Sequence, residues 1–330
     1  MRAILHIGTE KTGTTSFQRF MNVNTSALLD QKILYPSHLG GENHRHISIY
    51  ALDLNSKDDG LNRFKISSDD ELAAYRAKVE QTLEKQVAAS DADVCVLSSE
   101  HLHSRLKSVE QIQRVHDLLS PLFSSVEVYL HLRPQVDVIV SLASTQARVG
   151  SAVRRDFFER PDASQIYYNY NLLTEAWETV FGAENMRLLS FRQTPDFLGF
   201  MMKTLGIDIS NMATPARVNE AIDVRVMAMV NALTESGSSQ RIDHRVIDLL
   251  PVQEKVRPSL EKSREIQQRF SASNRALIAR RDDLQDGSFL PAWKNYPDDG
   301  NLSLLDQPCP FAKSLADMIA HYNTIIDSKT

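Results

Sequence analysis

Ala3-Ile-Leu-His-Ile-Gly-Thr-Glu-Lys-Thr-Gly-Thr-Thr-Ser-Phe-Gln-Arg-Phe-Met-Asn22 decides how the rest of the chain is read. Ala3, Ile4, Leu5 and Ile7 form a compact apolar run suited to a strand buried on both faces, as in a parallel sheet. The run stops at Gly8. From Gly8 to Thr15 the order Gly-x-x-Lys-Thr-Gly-Thr-Thr supplies two glycines that let the backbone come close, amides at a helix start, and a cation. Such a loop can cradle a phosphate or a similar oxyanion. Thr14, Thr15 and Ser16 add hydroxyl donors and candidate caps, while Phe17, Phe20 and Met21 lie at helical spacing. The stretch is a strand, an anion loop and a helix.

In the nucleotide-triphosphate loop a lysine follows the second glycine, and a hydroxyl after that lysine holds magnesium. Here Lys11 precedes the second glycine, Gly13. His6-Ile-Gly-x-x-Lys-Thr-Gly-Thr-Thr15 instead resembles the 5′-phosphosulfate loop of sulfotransferases that use 3′-phosphoadenosine 5′-phosphosulfate (PAPS), above all in bacterial members of that family.

Composition sets the outer bounds. The 330 residues suffice for one large α/β domain or two smaller ones. Hydrophobic content of 42% and charged content of 24% are ordinary for a globular protein. The net charge of −5 argues against broad nucleic-acid binding, which needs a basic surface. Two cysteines, Cys95 in an apolar run and Cys309 between prolines, make no disulfide framework and suit a reduced, cytoplasmic setting. The apolar N-terminal run is too short for a signal peptide, and no stretch of about 18 apolar residues suggests membrane insertion.

Further along, Ser37 to His46 is a donor-rich polar loop. If it is extended, alternation puts His44 and His46 on one face, where they either contact an acceptor substrate, bind a metal as a His-x-His pair, or are simply solvated. Ser68-Asp-Asp-Glu71 reads as a capping box that starts a helix with the stripe Leu72, Tyr75, Val79, Leu83 and Val87. A second apolar strand, Val94 to Leu97, ends in Ser98-Ser-Glu-His101. In an open parallel sheet, ligands sit at the carboxyl ends of strands, which brings Glu100 and His101 to the edge that carries Gly8 to Thr15. Either residue is placed for proton transfer, unless Glu100 only caps the next helix or sits in a salt bridge. Ser108-Val-Glu-Gln111 starts another helix. A third strand, Val126 to Leu132, delivers Arg133, and residues 137 to 146 read as helix, so Arg133 and Ser141 can reach one anion.

That pair resembles the 3′-phosphate motif of sulfotransferases, in which an arginine ending a strand and a serine eight residues on hold the nucleotide's 3′-phosphate. Arginine suits it because its planar fork donates bidentately to phosphate. Similarity to the bacterial family runs on through Gln146-Ala-Arg-Val-Gly150, Tyr167-Tyr-Asn-Tyr170, Trp177 to Gly182, a fourth strand from Met186 to Phe191, and Asn219 in Arg-Val-Asn-Glu, covering about residues 1 to 220. Tyr167, Tyr168, Tyr170 and Trp177 read as core or pocket wall. Beyond Ala221 come a helix around Val224 to Leu233, charged segments to Asp286, a loop from Gly287 to Pro310 and a final helix from Phe311 to Ile326. The late Arg/Lys-Gly loop that closes the nucleotide site in many sulfotransferases has no counterpart, leaving Arg148, Arg154, Arg275 and Lys294 as candidates.

The expected fold is α/β, a three-layer P-loop-like architecture with a central, mostly parallel sheet flanked by helices. It forms a single sulfotransferase-like domain over 1–330, with an α/β core over 1–220 and a helical extension over 221–330. The resemblance implies sulfuryl transfer from PAPS to a hydroxyl or amine of a small-molecule or glycan acceptor, leaving 3′,5′-bisphosphoadenosine and requiring no metal. Lys11, Thr12, Gly13, Thr14, Thr15 and Ser16 would hold the 5′-phosphosulfate, with Lys11 stabilising charge on the bridging oxygen. Arg133 and Ser141 would hold the 3′-phosphate. Glu100, or His101 in its place, would take the acceptor's proton, and the stretch from Pro36 to Lys65, with His44 and His46, would meet the acceptor. The rival readings are an ATP-dependent P-loop kinase, which the lysine position opposes, and a nucleotide-binding protein of the same fold without catalysis.

Overall fold

The computed structural model describes residues 1–56, 58–215, 221–235, 247, 250–307 and the single positions 314, 318 and 321. Strands β1 (Arg2–His6), β2 (Ile33–Leu34), β3 (Val94–Ser98), β4 (Val126–Leu132) and β5 (Met186–Ser190) form one sheet in the order β2-β3-β1-β4-β5. Every pairing is parallel. Helices α1 (Thr14–Val23) and α2 (Thr25–Asp30) follow β1 in sequence. Then α3 (Arg45–Ala51), α4 (Asp59–Arg63) and α5 (Asp69–Ala88) precede β3, while α6 (His101–Arg105) and α7 (Val109–Leu119) precede β4. Next, α8 (Gln135–Arg148) and α9 (Tyr170–Phe181) lie between β4 and β5 in the chain, and α10 (Phe197–Leu205), α11 (Val224–Glu235), α12 (Leu260–Gln268) and α13 (Ser271–Arg280) follow β5.

Two compact units emerge, one of 1–133, 164–217 and 272–289, the other of 134–163, 218–271 and 290–330. The division therefore does not run at residue 220 alone: a stretch inside the expected core, beginning with α8, belongs to the second unit.

In the first unit, successive strand side chains point to opposite faces. Ala3, Leu5, Cys95, Leu97, Val128, Leu130 and Leu132 enter one apolar cluster with Leu72, Val79 and Leu83 of α5, Ile112 and Val115 of α7, and Trp177 and Phe181 of α9. Ile4, Val96 and Tyr129 enter another with Phe17, Phe20 and Met21 of α1 and Phe197, Met201 and Met202 of α10. Helices thus cover both sheet faces, which is why the central strands are largely apolar, with His6, Ser98 and His131 as buried polar positions among them. Helix starts follow the sequence: Ser68 and Glu71 complete the expected capping box, and the Ser108 side chain accepts from the Gln111 N–H. Ile33 and Leu34, which precede Pro36, form the edge strand β2, a fifth strand beyond the four expected.

Buried amide side chains knit the second unit together. Gln267 Nε2 donates to Gln135 Oε1 at 2.9 Å, and the Val136 N–H donates to Gln267 Oε1 at 3.1 Å. Asn231 likewise accepts from the Val153 N–H and donates to the Val153 and Leu305 carbonyls. The charged stretch expected between 241 and 286 contains α12 and α13. Asn219, Cys309 and the expected helix from Phe311 to Ile326 lie outside the described residues, apart from three single positions. No helix among the described residues is long and apolar enough to cross a membrane.

Candidate active site

Because β1 is the middle strand, with β3 on one side and β4 on the other, their carboxyl ends open onto one edge of the sheet. The Thr9 N–H and Thr9 Oγ1 both donate to the His131 carbonyl near the end of β4, at 3.0 and 2.8 Å. The Ser99 N–H donates to the His6 carbonyl from the β3 side at 2.9 Å. The loop leaving β1 is therefore tied to both neighbours.

Three residues of the loop have positive φ: Gly8 at 58°, Lys11 at 71° and Gly13 at 91°. Gly8 is needed for room as well, since a Cβ there would sit 3.3 Å from Thr14 Oγ1 and 3.4 Å from Glu100 Cβ. A lysine in the left-handed region is uncommon and costs conformational energy, of the kind that gathers at functional sites. Helix α1 starts with Gly13 as its N-cap and no side chain capping it, so Thr14, Thr15 and Ser16 do not serve as the caps expected of them. The hydroxyls differ in role. Thr12 is buried and its Oγ1 donates to the Thr9 carbonyl at 2.7 Å, which spends its proton inside the loop. Its oxygen also lies 3.4 Å from Thr14 Oγ1. Thr15 is half-buried and Ser16 exposed.

Glu100 follows β3 and precedes α6 without capping it. Gln18, buried on α1, donates from Nε2 to Glu100 Oε2 at 2.7 Å and to Ser98 Oγ at 3.2 Å. Asn43 Nδ2 lies 3.4 Å from Glu100 Oε1 and 3.2 Å from His101 Nε2. Arg105 Nε donates to His101 Nδ1 at 3.3 Å, and Arg105 is itself paired with Asp58 and Asp59. Burial, and after it the Arg105 and Arg45 cations, push the His101 pKa down to about 4. His101 is thus neutral at neutral pH and a weak base, with one ring nitrogen held against a cation.

On the β4 side, Arg133 Nη1 donates to the Lys11 carbonyl at 2.7 Å, and the guanidinium lies over the Phe191 ring, 4.9 Å from its centre. Tyr170 OH donates to the Arg133 carbonyl at 2.7 Å. Ser141 lies on α8 in the second unit, as do Arg148 and Arg154, and Arg154 is ion-paired with Glu235. Arg275 and Lys294 are exposed.

His44 and His46 do not lie on a strand. His44 is the left-handed N-cap of α3, fully buried, with Nε2 against the Pro36 carbonyl at 2.8 Å and Nδ1 accepting from the Ser98 N–H at 3.0 Å. Both ring nitrogens are committed within the chain, which leaves none for an acceptor. His46 packs on the Phe64 and Tyr75 rings, at 4.9 and 5.6 Å. Among the described residues no group of three or more His, Cys, Asp or Glu side chains is arranged to hold a metal ion.

Gln18, Asn43 and Glu10 escaped the sequence reading, and Tyr167 was read only as core or pocket wall. Glu10 sits within the loop, and Tyr167 OH donates to its Oε2 at 2.7 Å, while the Tyr167 ring stacks near His103 at 4.4 Å. Burial, reinforced by the Glu10 carboxylate, raises the Tyr167 pKa well above its ordinary value, so Tyr167 remains a donor. The available signal was a glutamine beside Phe17 on the buried face of α1, where apolar side chains are the rule.

No family model matches the chain, and no curated protein matches its sequence. Among solved structures the chain is similar to a sulfotransferase from Alicyclobacillus acidocaldarius, with a TM-score of 0.38 and 15% identity over 66% of this chain and 87% of that one. It is also similar to the sulfotransferase domain of the Synechococcus PCC 7002 olefin synthase, with a TM-score of 0.33 and 12% identity over 82% of this chain and 94% of that one. Likeness this distant carries no residue role from those proteins to this chain.

Proposed function

We propose that the protein is a sulfotransferase that moves a sulfuryl group from PAPS to a hydroxyl or amine of a small-molecule or glycan acceptor. The observation that carries this reading is the convergence on one loop: Gly8 packs against Glu100, and Lys11 accepts a bond from Arg133. A cation, a carboxylate and a guanidinium thereby share the carboxyl edge of β1, β3 and β4.

The residues fit the donor's chemistry. A helix start without a side-chain cap, preceded by a glycine in the left-handed region, suits an oxyanion. PAPS supplies the sulfuryl group when bound. Lys11 places its positive charge on the loop that would hold the 5′-phosphosulfate, where it would stabilise charge on the departing phosphate. The backbones of Gly13, Thr14 and Thr15, with the outward-facing Ser16, position that group, while the Thr12 hydroxyl braces the loop. Arg133 holds the 3′-phosphate, the role its fork suits. Ser141 stands as a second ligand on the residue spacing alone.

Glu100 is the base. It accepts from Gln18 and Asn43 and makes no ion pair among the described residues, whereas His101 has a cation against Nδ1 and a depressed pKa. An acceptor O–H or N–H would pass its proton to the Glu100 carboxylate as the new bond to sulfur forms. Titration calorimetry with 3′,5′-bisphosphoadenosine and with ATP tests the donor assignment. Binding of the first at least tenfold tighter supports it, and tighter binding of ATP transfers the site to kinase chemistry.

A further inference from the structure

Glu100 is held by a residue on the same helix that begins at the anion loop. Gln18 lies four positions after Thr14, one turn along α1, and is 3% exposed. Its Nε2 is 2.7 Å from Glu100 Oε2, across 82 positions of chain. The amide orientation is fixed by chemistry, because an ionised carboxylate only accepts hydrogen bonds and the group facing it must therefore be the NH2.

The rest of the contact chain agrees in direction. Gln18 Nε2 also donates to Ser98 Oγ at 3.2 Å, and Ser98 Oγ is 2.9 Å from His6 Nδ1. Burial, and after it the neighbouring His131, lowers the His6 pKa to about 3, so His6 is neutral, and with either tautomer Ser98 Oγ keeps a lone pair for Gln18. Ser98 then offers its oxygen to Gln18, and Gln18 spends one N–H on Ser98 and the other on Glu100. The Ser98 hydroxyl thus fixes the Gln18 amide from behind.

Resting on the sulfotransferase reading, we propose that Gln18 is a positioning residue that pins Oε2 of Glu100 and presents Oε1 as the atom that takes the acceptor's proton. Among the described residues Oε1 has only the 3.4 Å contact to Asn43, a distance at which an acceptor hydroxyl can replace the amide. Because Thr14 and Gln18 share α1, the helix that seats the donor also aims the base.

The test compares wild type, Gln18→Met, Glu100→Gln and the double variant, using radiolabelled PAPS with a panel of phenols, monosaccharides and amines, and pairs it with calorimetry of 3′,5′-bisphosphoadenosine. Gln18→Met keeps the volume and removes the donor. It should lower kcat about 30-fold, a positioning effect, while nucleotide affinity stays within about twofold. In the Glu100→Gln background it should lower the residual rate no further, since residues that act as one unit are not additive. Amide NMR of the ligand-free protein reads the contact without turnover: one Gln18 side-chain proton should be downfield and slow to exchange, and should lose both properties in Glu100→Ala. Full kcat in Gln18→Met beside an inactive Glu100→Gln, an additive loss in the double variant, or a Gln18 signal unmoved in Glu100→Ala overturns the inference and leaves the sulfotransferase reading standing. A fully active Glu100→Gln overturns the inference and moves the base to His101 with the sulfotransferase reading standing, whereas a wild type that transfers no sulfuryl group overturns the reading and the inference together.

Discussion

The Arg133 guanidinium donates to the backbone carbonyl of Lys11 at 2.7 Å, so the residue assigned to the 3′-phosphate is also a strut of the loop assigned to the 5′-phosphosulfate. One side chain thereby couples two ends of a nucleotide. A single deletion should show both roles.

Arg133→Ala should therefore weaken 3′,5′-bisphosphoadenosine and adenosine 5′-phosphosulfate alike through the loop, and the first by a further amount of about 2 kcal/mol for the lost charge-assisted contact. Calorimetry on both nucleotides checks this. Equal losses would reduce Arg133 to a strut.

Lys11 holds φ at 71° whether or not its ammonium acts, so truncating the side chain spares the backbone geometry. Lys11→Ala should lower turnover about a hundredfold or more, with melting near wild type. A collapsed fold would instead make Lys11 structural.

Acid should unfold the protein through its buried histidines. Burial lowers His6 and His131 to about 3 and His44 to about 4, aided at His6 by the neighbouring His131 and opposed at His44 by the Pro36 carbonyl. In each the folded value lies below the unfolded 6.5, so the unfolded chain binds more protons between those limits. The stability is whole above about pH 6.5 and falls as pH drops toward 3 to 4, by at most about 1.4 kcal/mol per pH unit for each histidine. His131 lies flat against Phe197 and Phe191, at 5.0 and 5.7 Å, so His131→Phe should fold and flatten the slope by close to one proton. Urea midpoints from pH 7 to 4 measure it, and an unchanged slope would remove His131 from the account.

Tyr167→Phe deletes the 2.7 Å bond to Glu10 and leaves the ring stack intact. A bond to a partly exposed carboxylate should cost about 1 to 2 kcal/mol, read from urea unfolding. No loss of stability would show that Glu10 finds water as readily as Tyr167.

Much of this was legible in the chain. Ala3 to Ile7, Val94 to Leu97 and Val126 to Leu132 read as strands of a parallel sheet from their short apolar runs, although His6, Glu127 and His131 interrupt one face, and Ser68 with Glu71 marked a helix start by their capping chemistry. Placing Glu100 and Arg133 at strand ends followed from where parallel strands finish. His44 was misplaced because a His-x-His pair has the same spelling on a strand as at a helix start, and only the third dimension brings the Pro36 carbonyl and the Ser98 N–H to its ring. Gln18 was missed for a similar reason: its partner lies 82 positions away, and a lone glutamine in an apolar stripe carries no periodic signal. The second unit was illegible as a unit because its pieces are scattered along the chain, and residues 134–163 continue directly from β4.

Transfer of radiolabelled sulfate from PAPS to an acceptor panel, run in EDTA, tests the central claim most directly. The hydroxyl that follows Lys11 belongs to Thr12 and donates to the Thr9 carbonyl, so this loop lacks the outward lysine-hydroxyl pair that holds magnesium beside a triphosphate. Wild type should therefore transfer sulfate in EDTA, and Glu100→Gln should lose most of the rate while still binding 3′,5′-bisphosphoadenosine. Activity that disappears in EDTA and returns with magnesium, or phosphate transfer from ATP in place of sulfate transfer, would contradict the account.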